Sequence, residues 1–159
     1  MKKSSTVFLQ VVVGLIGIVA LILLIRLPLI EGRAANLDLI SIYADPFIIY
    51  GYLASVPFFV ALYQSFKLLG YVGQNKVFSL DSIKTLKIIK YCAITISVLI
   101  VLAGLYIRAF HAAEDDPAGF LALCIVITFV SIVVATAAAV FERTLKSAAE
   151  LKSENDLTV

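Results

Sequence analysis

SSTVFLQVVVGLIGIVALILLI, residues 4–25, holds no charged side chain between Lys3 and Arg26. About twenty predominantly apolar residues cross the ~30 Å hydrocarbon core of a bilayer as one α-helix, because a helix bonds its own backbone polar groups. The stretch reads as a membrane span, and three more follow. The second, Pro46–Phe66, is free of charge throughout. The third, Tyr91–Ile107, is short, and the fourth runs Pro117–Phe141. The chain has 159 residues and is 62% hydrophobic, whereas soluble domains are nearer half apolar. One small water-facing core has no room for four such helices. The expected fold is all-α, a single four-span integral membrane bundle over residues 1–159.

A secretory signal is the competing reading of the first span, with Lys2 and Lys3 as its basic start and Gly32-Arg33-Ala34 as a cleavage site. The apolar run is longer than the usual ~7–15 residues, and Arg26 and Glu31 interrupt the approach to that site. A retained span is therefore expected.

Local chemistry suggests where the helices begin. Asp45-Pro46 and Asp116-Pro117 each pair a capping carboxylate with a proline that loses nothing in a first turn. Pro57 lies inside the second span, where it removes one backbone bond and should kink the helix. Ser79-Leu80-Asp81-Ser82 is a capping pattern, and Ile83, Leu86 and Ile89 follow at helical spacing. One helix is thus expected from about Ser79 to Phe110, with Lys84, Lys87 and Lys90 reaching toward water. The last helix should run on to about Lys152, with Phe141, Leu145, Ala148 and Leu151 along one face.

Four crossings put both termini and the connection 67–90 on one side. That side holds Lys2, Lys3, Lys67, Lys76, Lys84, Lys87, Lys90, Arg143, Lys146 and Lys152, while the other holds only Arg26, Arg33 and Arg108. Basic residues flanking spans stay in the cytoplasm, so both termini are expected inside a bacterial cytoplasmic membrane. Trp is absent, leaving the seven tyrosines to supply interfacial aromatics.

No Asp, Glu, Lys, Arg or His lies near the middle of a span, which argues against a proton-coupled exporter. No nucleophile–base pair, CxxC, HExxH, phosphate loop or paired carboxylate occurs, so no enzyme and no cofactor are expected. Cys92 and Cys124 fit as small apolar packing residues.

Three clusters remain as candidate sites, beside one stripe of packing residues. Tyr52, Ser55, Tyr63 and Gln64, around Pro57, could line an intramembrane polar cavity for a lipid or small amphiphile, or serve helix packing. The stripe Thr128, Ser131, Ala135 and Ala139, with Gly14 and Gly17 in the first span, suits close helix approach. Arg108, His111 and Asp115 form an outer cluster in which a lone histidine beside acids could bind a metal or sense pH, or simply be solvated. Lys76, Lys84, Lys87, Lys90, Arg143 and Lys146 form a basic inner surface. It suits anionic headgroups, or the docking of a cytosolic partner on the amphipathic tail.

Four segments, Pro57–Leu69 (PFFVALYQSFKLL), Asn75–Ser79 (NKVFS), Lys87–Ser97 (KIIKYCAITIS) and Lys152–Val159 (KSENDLTV), resemble the YoaS-like family of small bacterial membrane proteins, a domain of unknown function. The resemblance runs the whole length. It implies four spans and carries over no site residue. Genes of this family often neighbour small helix-turn-helix regulators, which implies a cytosolic regulator as a partner. The expected partners are the lipid bilayer, such a regulator and a second copy of the chain as a homo-oligomer, without direct nucleic-acid binding. The expected role is regulatory or partner-binding. The alternative is a handler of small molecules or peptides, such as a transporter subunit or an immunity-type protein against membrane-active toxins, acting at the outer loops and the second span.

Overall fold

In a computed structural model of the chain, which describes residues 3–29, 38–110 and 117–156, Asp45 opens a long helix. Its carboxylate accepts the amides of Phe47 at 2.7 Å and Ile48 at 3.4 Å, and Pro46 occupies the first turn. Pro46 has no amide to satisfy, so the carboxylate serves both free amides that follow it in the first turn. The described helices are α1 (Lys3–Arg26, followed by a 3-10 turn at Leu27–Leu29), α2 (Leu39–Tyr43), α3 (Pro46–Gly73), α4 (Leu80–Phe110) and α5 (Ala118–Asp156). Of these, α1, α3, α4 and α5 are long and apolar enough to cross a membrane. The short α2 has no counterpart in the sequence reading.

The helix α3 runs unbroken through Pro57 and does not stop at Lys67. It ends two turns later, where Asn75 takes the left-handed conformation at φ 57°. The Lys76 amide then donates to Tyr71 O at 2.9 Å and the Asn75 amide to Val72 O at 3.2 Å, which closes the helix end. Asparagine tolerates this conformation better than most residues. The α4 start follows at once. Ser79 Oγ accepts the Ser82 amide at 3.3 Å, as the capping pattern predicts. Ser82, fully buried, donates its hydroxyl to Lys76 O at 3.0 Å. The connection 67–90 is thus a helical hairpin in which only 74–79 lie outside α3 and α4.

The long helices pack in chain order, α1 on α3, α3 on α4 and α4 on α5. The contacts make each pair antiparallel: Gln10 meets Phe66 while Leu24 meets Tyr52, Tyr50 meets Leu99 while Leu68 packs at Leu86 and Ile89, and Lys90 meets Glu142 while Gly104 meets Cys124. Residues buried on α4 are Ser82, Thr85, Leu86, Ile89, Ala93, Ala103 and Gly104. Of these, Leu86 and Ile89 cluster with Ala138 of α5 and Gly104 lies against Cys124, and the buried residues of α5, Cys124, Ser131, Ala135 and Ala138, recur at helical spacing. At the lysine-bearing end, Leu86, Ile89 and Ala138 form a cluster that Leu68 of α3 and Leu145 of α5 cover. At the other end the Phe47 and Phe120 rings meet edge to face, 5.6 Å apart. Small and hydroxyl residues dominate the seam because lipid is as apolar as leucine, so close backbone approach rather than water exclusion drives association.

Candidate functional site at the basic end of α4 and α5

Register fixes which residues reach the bilayer surface. Twenty residues of helix, about 30 Å, counted back from Ile107 along α4 arrive near Ile88, and counted forward from Ala118 along α5 they arrive near Ala138. Lys90 and Glu142 therefore stand level with one another at the edge of the apolar core. The structure joins them: Lys90 Nζ lies 2.6 Å from Glu142 Oε2, and both side chains are about four-fifths buried. Lys90 also sits over the Tyr91 ring, 5.1 Å from its centroid. Lys90 is thus a strap between α4 and α5 as well as part of the basic surface. Glu142 is the residue that the sequence reading overlooked as a partner, although counting back from Ile107 and forward from the Asp116-Pro117 start could have paired it.

The other basic candidates face outward. Lys76, Lys84, Lys87, Arg143 and Lys146 are exposed. The tail's apolar stripe divides. Leu145 packs on the buried cluster, while Phe141 and Leu151 stay 61% and 67% exposed. Between α4 and α5, just inside the Lys90–Glu142 strap, lies an open groove of about 460 Å³ with Lys90 and Arg143 at its mouth and Ile94, Ser97, Ala135 and Ala139 along its walls.

The polar residues of α3 do different work. Residues two apart on a helix point about 200° apart. Tyr50 accordingly donates to Leu99 O of α4 at 2.6 Å, and Tyr52 donates to Leu24 O of α1 at 3.1 Å. Tyr43 of α2 donates to Ile25 O at 3.2 Å and stacks on Tyr52. Leu24 and Ile25 are among the last carbonyls of α1, which lack amide partners within the helix, so two tyrosines cap it from outside. Ser55 donates to Tyr52 O at 2.6 Å within its own helix. Tyr63 is exposed, a full three turns from Tyr52, and Gln64 is half-buried beside it. The hydroxyls of Tyr52 and Ser55 are thus bonded to backbone carbonyls. Gly17 lies against Leu62 as a close-approach site should, whereas nothing comes near Gly14.

Of the outer cluster, Arg108 is exposed at the end of α4, and His111 and Asp115 lie outside the described residues. Among the described residues no group of His, Cys, Asp or Glu is placed to hold a metal ion.

Residues 29–159 match the model of a family described as "Protein of unknown function (DUF2975)". The uncharacterized membrane protein YoaS of Bacillus subtilis (strain 168) is 45% identical over 161 residues, covering 100% of both chains. The chain belongs to the DUF2975 family. No solved structure matches it. The matched DUF2975 region takes in α2 to α5, with the whole Lys90–Glu142 strap and the groove, and begins after α1. The helix outside the family model packs chiefly on α3.

Proposed function

We propose that this chain is a non-enzymatic, multi-pass protein of the bacterial cytoplasmic membrane whose basic end faces the cytosol and docks a soluble regulatory partner. The observation that carries this reading is helix length. With 31 and 39 residues, α4 and α5 exceed the ~20 that a crossing needs, so about 28 Å of α5 stands beyond the apolar core. On that projection are the exposed cation Lys146 and the exposed apolar side chain of Leu151, and the exposed cations Lys84 and Lys87 lie on the shorter projection of α4. A partner of matching chemistry presents an acidic surface with an apolar centre, so that charge steers the encounter and Leu151 anchors it. The cytosolic helix-turn-helix regulator expected from the family's gene neighbourhood is the first partner to try. Orientation follows from ten basic residues on one side against three on the other, which sets the lysine-rich end and both termini inside.

Two measurements test the reading in order. Single cysteines placed near Asp115 and near Val159, in a chain with Cys92 and Cys124 changed to alanine, are exposed to an impermeant thiol reagent on intact cells. Labelling at 115 with protection at 159 is expected, and the reverse rejects the orientation. Purified regulator is then offered to full-length protein and to the variant K84E/K87E/K146E. Binding should fall at least tenfold in the variant, since charge reversal turns each attraction into repulsion. Unchanged binding rejects the docking surface. A deletion strain sensitised to membrane-active peptides with unaltered transcription would instead favour the small-molecule or peptide handler.

A further inference from the structure

The groove between α4 and α5 is built for a particular kind of occupant. Its mouth carries Lys90 and Arg143, and Lys87 and Lys146 lie one turn further along each helix. Glu142 is the acid nearest this mouth on α5, and Lys90 binds it at 2.6 Å, whereas Arg143 is exposed and lines the groove. Below the mouth the walls turn apolar. The two hydroxyls present there are spent on their own helices, Ser97 on Ile94 O at 2.8 Å and Thr136 on Ile132 O at 2.8 Å. From Arg143 down to Ile132 the groove runs about 16 Å, the depth of one leaflet of a ~30 Å hydrocarbon core.

A cationic mouth at headgroup level above one leaflet's depth of apolar wall matches a lipid with a negative head and a hydrocarbon tail. We infer that the α4–α5 groove binds one anionic phospholipid, its phosphate against Arg143 and an acyl chain along Ala139, Ala135 and Ile94. A second copy of the chain fits poorly. Every copy in a membrane shares one orientation, so a copy seated here would bring its own lysine-rich end against Arg143. The bound lipid would complete the α4–α5 seam at the strap, filling space that neither helix reaches.

Full-length protein in detergent is titrated with phosphatidylglycerol and with phosphatidylcholine of the same acyl chains, and intact complexes are weighed by native mass spectrometry. One phosphatidylglycerol per chain is expected, in preference to phosphatidylcholine. Arg143→Gln, at an exposed position, should cut that preference about fivefold, the equivalent of ~1 kcal/mol for one cation beside an anionic surface. Ala139→Phe should expel the lipid while leaving Arg143 in place. Lys67→Gln, at a similar membrane depth on α3, should change nothing. Equal binding of both lipids, an equal loss with Lys67→Gln, or displacement by inorganic phosphate would overturn the inference. So would a two-chain complex, or a bound acidic peptide, that Ala139→Phe abolishes. Arg143→Gln does not touch the packed seam, so it decides the matter even where Ala139→Phe fails to fold.

Discussion

The helices α1 and α4 are both long and apolar enough to span a membrane, and they are opposite in use. In α1 bulky aliphatic side chains follow one another almost without interruption, and its one buried residue among those described is Thr6. Ile18, Val19, Leu21, Ile22 and Leu23 all remain about half exposed. By contrast α4 carries three lysines and two serines and supplies the buried centre of the molecule. In water the more apolar helix would be the core. In lipid the ranking inverts, because an isoleucine against acyl chains is as well placed as one against protein, whereas small and hydroxyl side chains gain only from a neighbour. What holds α1 is correspondingly polar and sparse: the Tyr52 and Tyr43 hydroxyls at its C-terminal carbonyls, Gln10 on Phe66 O at 3.3 Å, and Thr6 packed on Gly73.

The comparison breaks most visibly at Ser82. Leucine there would be more apolar, yet the site is fully buried and the hydroxyl meets Lys76 O and Ser79 Oγ. Overpacking and the lost bond to the Lys76 carbonyl together predict a loss of about 3 kcal/mol for Ser82→Leu. Reversible unfolding in mixed micelles measures it, and a neutral result would show that α4 is not the centre of the fold. A smaller effect is expected at the strap. Lys90→Ala leaves Glu142 without its cation, but both groups keep about a fifth of their surface exposed at headgroup level. The cost should be about 1–2 kcal/mol, below that of a fully buried pair. The swapped pair K90E/E142K should recover most of that loss, and failure to do so would assign the effect to Lys90 alone.

How far all this was legible depends on the range of the interactions. The caps at Asp45 and Ser79 act within three residues, so their chemistry is written beside them. The four crossings likewise follow from local apolar length. The end of α3 was also local, but the signal was Asn75 rather than Lys67. A lysine marks where a helix leaves lipid, not where it stops being a helix. Which helix is central was not legible, since bulk hydrophobicity does not sort lipid-facing from buried surface. The Lys90–Glu142 strap joins residues 52 apart in sequence, and the Tyr50 and Tyr52 clasps join residues 49 and 28 apart. Composition offers no hint of such pairings. Tyr52 and Ser55 stand out in the sequence as polar residues in a span. Reading them as packing aids or as a cavity needed the carbonyls they meet.

Tyr52→Phe sharpens the contrast from the α1 side. It deletes one hydroxyl from the clasp and leaves the ring stacked on Tyr43. Interhelical hydrogen bonds in membranes average about 0.6 kcal/mol, so a change of that size is expected, with no shift in the α4–α5 seam. Cross-linking yield between cysteines at Gly17 and Leu62, which lie in contact, would report loosening of α1 directly. An equal fall in a cross-link between Gly104 and Cys124 would mean that α1 and the seam unfold together.

The smallest effect is the most exacting. Ile18 is 55% exposed, and its side chain meets lipid on the open face of α1. In a soluble core, Ile→Ala would cost about 2–5 kcal/mol through lost transfer energy and a cavity. Here neither term exists: acyl chains flow into the vacated volume, and the residue never leaves an apolar medium. Ile18→Ala should therefore change folded-bundle stability by less than about 0.5 kcal/mol, the range of ordinary surface substitutions. Insertion should survive too, since the remaining run still spans the core. A loss above 1 kcal/mol would mean that this face of α1 is covered by something other than lipid, and a second copy of the chain would then be the first candidate.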